Sequence, residues 1–158
     1  MNHFQNIQWN TANIVRLIIA IVLGFGINII PQCRTSKKSG AIVNFRPPAA
    51  AFGIVWTILY ILFGLSWILA ANTPNELNST VIIDVFYGII TVLLALWIVV
   101  YSCMGNKKGG IYVIATCIGV IVLTLNVASV VSRLMITPLL TWLILALLLN
   151  IFEVQLIK

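Results

Sequence analysis

The chain has 158 residues, of which 61% are hydrophobic and 8% are charged, and its formal net charge is +6. A soluble domain of this length cannot bury so much apolar surface, so the composition predicts an integral membrane protein of the all-α class. The basic residues lie in short segments beside apolar runs, where they set membrane topology, so we do not expect nucleic acid as a partner.

Five apolar segments follow one another along the chain, each close to the ~20 residues that an α-helix needs to cross a bilayer. They predict transmembrane helices at approximately 11–30, 47–71, 81–104, 111–132 and 134–157. Pro47 and Pro48 are placed as first-turn prolines of the second helix. Because no long linker interrupts the pattern, we expect one domain over residues 1–158, folded as a five-helix bundle.

The first predicted helix carries a row of small and polar residues at a spacing of four, namely Ala20, Gly24 and Asn28. Small residues let a neighbouring backbone approach closely. This row therefore serves either as a packing face within the bundle or as a contact in a homodimer.

The second predicted helix carries large aromatic side chains on one face. Trp56, Tyr60, Phe63 and Trp67 are spaced by 4, 3 and 4 residues, which is a helical period. Two interpretations are open. The face either packs inside the bundle without a ligand, or lines a pocket for a flat apolar ligand such as a tetrapyrrole or a sterol.

Further rows on the third and fifth predicted helices complement this aromatic face. The third helix has a small-residue face beside Trp97, made of Gly88, Thr91 and Ala95. The fifth helix has a row that recurs every four residues, made of Pro138, Trp142, Ala146 and Asn150. Polar residues inside a membrane tend to face the bundle interior, which we expect of Asn28, Asn126 and Asn150.

Few groups in the chain are suited to chemistry. Asp84 is expected to form a structural ion pair with Arg16 or Arg133, and Glu153 lies within reach of basic loop residues. The cysteines Cys33, Cys103 and Cys117 lack metal-ligand spacing and are expected to be free, inert thiols. No paired carboxylates, nucleophile–base pair or phosphate loop is visible, so we expect no conventional hydrolysis, no metal site and no cofactor.

The distribution of basic residues predicts an orientation. One side of a five-span bundle collects most of them: Arg34, Lys37, Lys38, Arg46, Lys107, Lys108 and Lys158. Positive-inside bias then places this side and the C-terminus in the cytoplasm, and the N-terminus outside. The pattern fits a bacterial plasma membrane. Trp9 and Trp67 would fall in the aromatic belt at the outer interface.

The second and fifth helices resemble those of the TspO/MBR family, the tryptophan-rich sensory proteins that include the mitochondrial translocator protein. The family's second helix begins with Pro-Pro, continues with Gly-Pro-Val-Trp-x-x-Leu-Tyr and then has a Gly. The matching residues here are Pro47, Pro48, Gly53, Val55, Trp56, Leu59, Tyr60 and Gly64, with Ile54 in place of the core proline. The family's fifth-helix pattern is matched by Pro138, Trp142, Leu149 and Asn150, and its third-helix aromatic pair by Tyr87 and Trp97.

The resemblance covers nearly the whole chain and implies a pocket between the helices that opens toward the loop before Pro47. The residues that it assigns to ligand binding are Trp56, Tyr60, Phe63, Trp97, Trp142, Ala146, Asn150, Gly24 and Phe45. It implies a receptor or sensor for porphyrin, another tetrapyrrole or a sterol-like molecule, with a transport or regulatory role. One alternative is a light-dependent porphyrin-degrading enzyme with Trp56 and Trp142 as reactive groups. The other is a membrane scaffold without a ligand.

The sequence also departs from the family pattern. Phe45 and Val43 replace a tryptophan and a proline in the first loop, and Leu94 and Ala95 replace an asparagine and a tryptophan on the third helix. Ile151 replaces the tyrosine of the proposed sterol-recognition segment. These differences predict a divergent member with an altered ligand preference.

Overall fold

A computed structural model describes residues 9–33, 40–73 and 79–157 of the chain. Within these ranges, the side chains and surroundings of residues 23, 24, 27, 28 and 32 lie outside the description.

The described residues form five α-helices and no strand, which confirms the expected all-α bundle. The helices are α1 Thr11–Ile29, α2 Ala49–Asn72, α3 Thr80–Trp97, α4 Lys107–Val127 and α5 Val130–Leu156. A 3-10 turn, Pro31–Cys33, follows α1, and a π-helical segment, Ile98–Cys103, continues α3. By length and composition α2, α3 with its π-helical continuation, α4 and α5 can each cross a membrane, and α1 contributes a shorter apolar stretch, Thr11–Val22.

Polar caps set where the last three helices begin. The side chains of Ser79, Asn106 and Ser129 accept hydrogen bonds from backbone N–H groups three residues ahead of them. Such caps satisfy N–H groups that the first turn leaves without a helical partner. Because of the caps, α4 begins at Lys107 and α5 at Val130, each four residues before the start expected from hydropathy at 111 and 134.

The helices close into a ring in the order α1, α2, α5, α4, α3. Each helix packs against the next one in this order, and α3 completes the ring through contacts with α1 and also touches α2. The α1–α2 contact depends on Gly64, because a Cβ atom there would lie 2.6 Å from Leu17 Cδ1 and 3.2 Å from Leu17 Cα. A glycine at this point lets the two backbones approach closely.

Polar contacts tie the end of the bundle at which α1 begins. Arg16 and Asp84 form the expected ion pair, with Nη2 and Oδ2 2.8 Å apart. Trp67 Nε1 donates to Asp84 Oδ1 at 2.7 Å. The expectation that Trp67 lies in an interfacial belt is therefore wrong, since its side chain is buried and bonded to a neighbouring helix. Trp9 is 60% exposed, as a belt residue would be.

Three hydroxyl groups connect α2, α3 and α5 further into the bundle. Ser66 Oγ lies 2.7 Å from Tyr87 Oη and 2.9 Å from Ser132 Oγ, and the Tyr87 and Ser132 oxygens are 2.8 Å apart. All three side chains are buried. The contacts satisfy polar groups that would be costly to leave unpaired in an apolar interior.

Two further expectations are corrected by the structure. Asn126 is exposed rather than interior, because its side-chain amide donates to the carbonyl of Val122 on its own helix and needs no neighbouring helix. Cys33 and Cys103 are joined by a disulfide rather than being free thiols, because the turn after α1 folds back onto the end of α3. Cys117 is a free, buried thiol as expected. The surroundings of Asn28 lie outside the described residues.

Candidate ligand-binding site

The aromatic face of α2 lies inside the bundle and meets tryptophans from two other helices. The Trp56 ring stacks on Tyr60, with centroids 5.4 Å apart, and lies 5.9 Å from the ring of Trp97 on α3. The ring of Trp142 on α5 stands perpendicular to the Trp56 ring, with centroids 6.5 Å apart. The structure therefore brings together Trp56, Tyr60, Trp97 and Trp142, four of the residues assigned to the site from the sequence. We call these four residues the central aromatic cluster.

The three indole N–H groups of the central aromatic cluster differ in their hydrogen bonding. With the Asn150 amide oriented so that both of its groups are paired, its oxygen accepts from Trp97 Nε1 at 3.0 Å and its nitrogen donates to the Ala146 carbonyl. The Nε1 atoms of Trp56 and Trp142 are buried, and neither has a hydrogen-bond partner among the described residues. Buried indole N–H groups usually have a partner, so these two donors are unusual.

The row on α5 winds around its helix instead of staying on one face. Pro138 is exposed, Trp142 is half-buried, and Ala146 and Asn150 are fully buried. The reason is geometric: a step of four residues overshoots the 3.6-residue turn, so positions at this spacing drift around the helix. The end of the row that includes Ala146 and Asn150 contributes to the bundle interior.

Three residues assigned to the site lie apart from the central aromatic cluster or outside the description. Phe63 is buried in a second aromatic group, 6.3 Å from the ring of Trp67 and 5.3 Å from that of Tyr87. Phe45 is 48% exposed and packs edge-on against Phe152 at 5.3 Å. The surroundings of Gly24 lie outside the described residues.

Residues 40–48, which precede α2, form a segment that we call the cap. Its backbone begins at Gly40 with a φ of +62°, a left-handed conformation that favours glycine. A side chain there would also press on Leu149, whose Cδ2 lies 3.1 Å from the position of a Cβ atom. Val43 is buried, and the Arg46 guanidinium lies 5.0 Å from the ring centre of Phe52. The cap thus packs directly on the bundle.

Phe52 connects the cap to the central aromatic cluster. Its ring is fully buried and lies 5.4 Å from that of Trp142, in an edge-on arrangement. Because the Arg46 guanidinium also lies 5.0 Å from the centre of the Phe52 ring, a cationic group stands next to a neighbour of the cluster.

The buried carboxylate of Glu153 holds the start of the cap. The sequence predicted a basic neighbour for it but not an aromatic one. Glu153 is 4% exposed and accepts hydrogen bonds from Tyr101 Oη and from the Gly40 N–H at 3.2 Å. Lys107 Nζ lies 3.4 Å from Glu153 Oε1, as expected for a basic loop neighbour, and 3.8 Å from the Tyr101 ring centre. Tyr101 was missed, although it follows Trp97 by four residues and stacks on it at 5.5 Å.

The described residues contain no cluster of three or more His, Cys, Asp or Glu side chains that could hold a metal ion. At this site the described residues offer aromatic surface, two indole donors and a neighbouring cationic group.

Comparison with known families gives a match over almost all of this fold. The model of the TspO/MBR family matches residues 14–155, from the first helix to the end of the fifth. The chain belongs to the TspO/MBR family. No functionally curated protein matches it. In this TspO/MBR protein the double proline lies immediately before α2, and the tryptophans that follow it, Trp56 and Trp67, both point into the bundle.

Proposed function

We propose that this membrane protein is a receptor or sensor that binds a flat hydrophobic ligand of the porphyrin class within the helix bundle. The observation that carries the proposal is the pair of buried indole donors on Trp56 and Trp142, which have no hydrogen-bond partner in the described part of the chain. An unpaired N–H in an apolar interior costs free energy, on the order of 1–3 kcal/mol per group. A ligand that presents an acceptor between the two rings would recover this cost.

Aromatic surface and charge also support a porphyrin-like ligand. Tryptophan and tyrosine faces suit a planar π-system, because offset stacking adds to the free energy of burial. Protoporphyrin carries carboxylates on one edge, and the Arg46 guanidinium beside the Phe52 ring is suited to pair with one of them. The rings touch one another in the structure, so a ligand would enter by parting the cluster from the side of the cap. A sterol would use the apolar surface but carries no carboxylate to pair with the Arg46 guanidinium.

We propose that the end of the bundle with the cap faces the cytoplasm of a bacterial plasma membrane. Arg46, Lys107 and Lys108 lie at this end, whereas Arg16 and Arg133 lie at the other. Lys and Arg in short loops favour the cytoplasmic side. A ligand would then enter and leave on the cytoplasmic side, as needed for a sensing, storage or transport role.

The test is a titration with protoporphyrin in the dark, because darkness excludes photochemical loss of the ligand. Purified wild type should show saturable quenching of tryptophan emission together with a shift of the porphyrin Soret band. Trp56→Phe and Trp142→Phe should each weaken binding about tenfold, the effect of ~1.4 kcal/mol of lost interaction. Trp9→Phe is the matched control, since it removes an exposed indole at the far end.

Two results would contradict the proposal. An absence of saturable quenching in the wild type would exclude porphyrin as the ligand. Equal affinity in wild type and both cluster variants would place the ligand elsewhere on the protein, because the Soret shift reports binding independently of the tryptophans.

A further inference from the structure

The disulfide Cys33–Cys103 lies at the end of the bundle that carries the cap. It joins the turn Pro31–Cys33 to the last residue of the segment Ile98–Cys103, and its Cα atoms are 4.3 Å apart across 70 positions of sequence. Cys33 is 3% exposed, whereas Cys103 is half-buried. A dissolved thiol therefore reaches the Cys103 sulfur more readily than the Cys33 sulfur.

The charges at this end make a permanent disulfide there unexpected. Arg46, Lys107 and Lys108 lie at the same end, which positive-inside bias assigns to the cytoplasm. Cytoplasmic thiols are kept reduced, and cytoplasmic disulfides in ordinary organisms are mostly transient, catalytic or redox-sensing. The pairing of a positive end with a disulfide therefore suggests a bond that forms and breaks during function.

The disulfide is connected to the cap from both of its cysteines. Cys33 lies seven positions before Gly40, at which the cap begins. Cys103 lies two positions after Tyr101, whose hydroxyl accepts from the Gly40 N–H at 3.1 Å. The bond therefore fixes the turn after α1 against the segment Ile98–Cys103, which also carries the Tyr101 hydroxyl that holds the start of the cap. When it breaks, this turn loses its covalent link to the segment whose Tyr101 hydroxyl holds the Gly40 N–H.

We propose that Cys33–Cys103 is a thiol–disulfide exchange site that controls opening of the cap, and hence access to the ligand site. The part that concerns ligand access rests on the proposed function. The reductant is a dithiol, either a small molecule or a redox protein with paired cysteines. Its thiolate attacks Cys103 Sγ, the Cys33 thiolate leaves and takes up a proton, and the reductant's second thiol then releases Cys103. Two electrons pass to the protein, and the dithiol becomes a disulfide.

The test compares oxidised wild type, dithiol-reduced wild type and the variant Cys33→Ser/Cys103→Ser. Maleimide labelling counts the free thiols in the folded protein before and after reduction. Hydrogen exchange at residues 40–48 measures cap opening without any ligand, and the dissociation rate of protoporphyrin measures access. Cys117→Ala is the matched control, since it removes the free cysteine and leaves the disulfide intact.

The dithiol should expose two more thiols without unfolding the protein. Hydrogen exchange at the cap and porphyrin dissociation should then each become about tenfold faster, the size of effect expected when a local opening is made easier. The double variant should behave like the reduced wild type, and Cys117→Ala like the oxidised wild type.

Three outcomes would overturn the proposal. The first is a disulfide that resists the dithiol until the protein unfolds, and the second is identical cap exchange in the oxidised and reduced proteins. The third is labelling of Lys108 by an impermeant amine reagent added outside intact cells. Because Lys108 and the disulfide lie at the same end of the bundle, that result would place the disulfide outside the cytoplasm, in an oxidising compartment. A protein that binds no porphyrin in either redox state would contradict the proposed function alone, because the exchange measurement still decides whether the disulfide controls the cap.

Discussion

Arg16 on α1 and Asp84 on α3 form a two-pronged ion pair, in which Nε and Nη2 each lie 2.8 Å from a different carboxylate oxygen. The geometry matches the planar fork of a guanidinium to a carboxylate. Asp84 also accepts from the indole of Trp67, so one carboxylate connects three helices. This contact explains how a charged residue is accommodated near the end of an apolar helix.

Replacing Asp84 with alanine should destabilise the fold by about 2 kcal/mol, because Arg16 Nε, Arg16 Nη2 and the Trp67 N–H all lose their acceptor. Among the described residues, Arg16 then keeps only its bond to Asn13. This loss of stability is smaller than the loss expected for a fully buried ion pair, because the Asp84 side chain is 38% exposed. The free energy of unfolding in mixed micelles measures the change. Arg133→Ala is the matched control at the same end, as its Nε donates to one backbone carbonyl. A loss at Asp84 no larger than that at Arg133 would contradict a structural role for the ion pair.

Replacing each of two glycines on α2 with alanine should change the stability of the fold by different amounts. Gly64→Ala places a Cβ atom against Leu17, so the Leu17 side chain must rotate and the α1 backbone must shift slightly, at a cost of about 1–3 kcal/mol. Gly53→Ala meets no atom within 4 Å and should change stability by no more than about 0.5 kcal/mol. Thermal unfolding of both variants measures the contrast. Equal stability of the two variants would mean that α1 does not pack closely on α2 at Gly64.

The stability cost of a tryptophan-to-phenylalanine change should depend on whether the indole N–H donates a hydrogen bond. Trp97→Phe removes the donor to the buried Asn150 and should cost about 1–2 kcal/mol more than Trp56→Phe, which removes a donor with no partner among the residues that the structure describes. Both rings are almost fully buried, so the loss of ring volume is similar in the two variants. Adding Asn150→Leu to Trp97→Phe should recover part of the loss. No recovery would argue against the Trp97–Asn150 hydrogen bond.

The same comparison separates stability from binding. Trp56→Phe should weaken porphyrin binding more than it weakens the fold, whereas Trp97→Phe should do the reverse. Measuring affinity and unfolding on the same preparations gives the two effects directly. Parallel losses in both variants would favour a purely structural role for the central aromatic cluster.

Sequence periodicity predicted the helices and the aromatic face of α2 well. Trp56, Tyr60, Phe63 and Trp67 are all buried, because side chains at a spacing of three and four share one side of a helix. The ion pair of Arg16 with Asp84 could also be predicted, because few charged residues lie at that end of the bundle. Both inferences need only the local chain and the order of the helices.

Contacts that depend on a partner from elsewhere in the fold were not predictable. Trp67 was expected at the membrane interface from the topology that the basic residues indicate, and nothing in its own helix shows that Asp84 would face it. Cys33 and Cys103 are 70 positions apart, so their pairing depends on how the turn after α1 meets the end of α3. Asn126 was expected inside, but a helix offers its own carbonyls as acceptors, so a polar side chain can remain outside the core.

Glu153 is expected to hold the cap closed, and its two replacements should have different effects. Glu153→Ala removes the acceptor of Tyr101 and Gly40 and the ion pair with Lys107, at a cost of about 3 kcal/mol, typical of breaking a buried pair. Glu153→Gln keeps an oxygen acceptor at the same position and loses the charge. It should therefore cost about 1 kcal/mol and leave the Gly40 contact in place.

Hydrogen exchange at the Gly40 amide measures this difference directly. The amide should exchange faster in Glu153→Ala than in Glu153→Gln, and both should remain helical. Gln155→Ala is the control, since Gln155 is exposed on the same turn of α5. Equal protection of Gly40 in wild type and Glu153→Ala would mean that Tyr101 alone holds the cap, because its hydroxyl is the other acceptor for this amide.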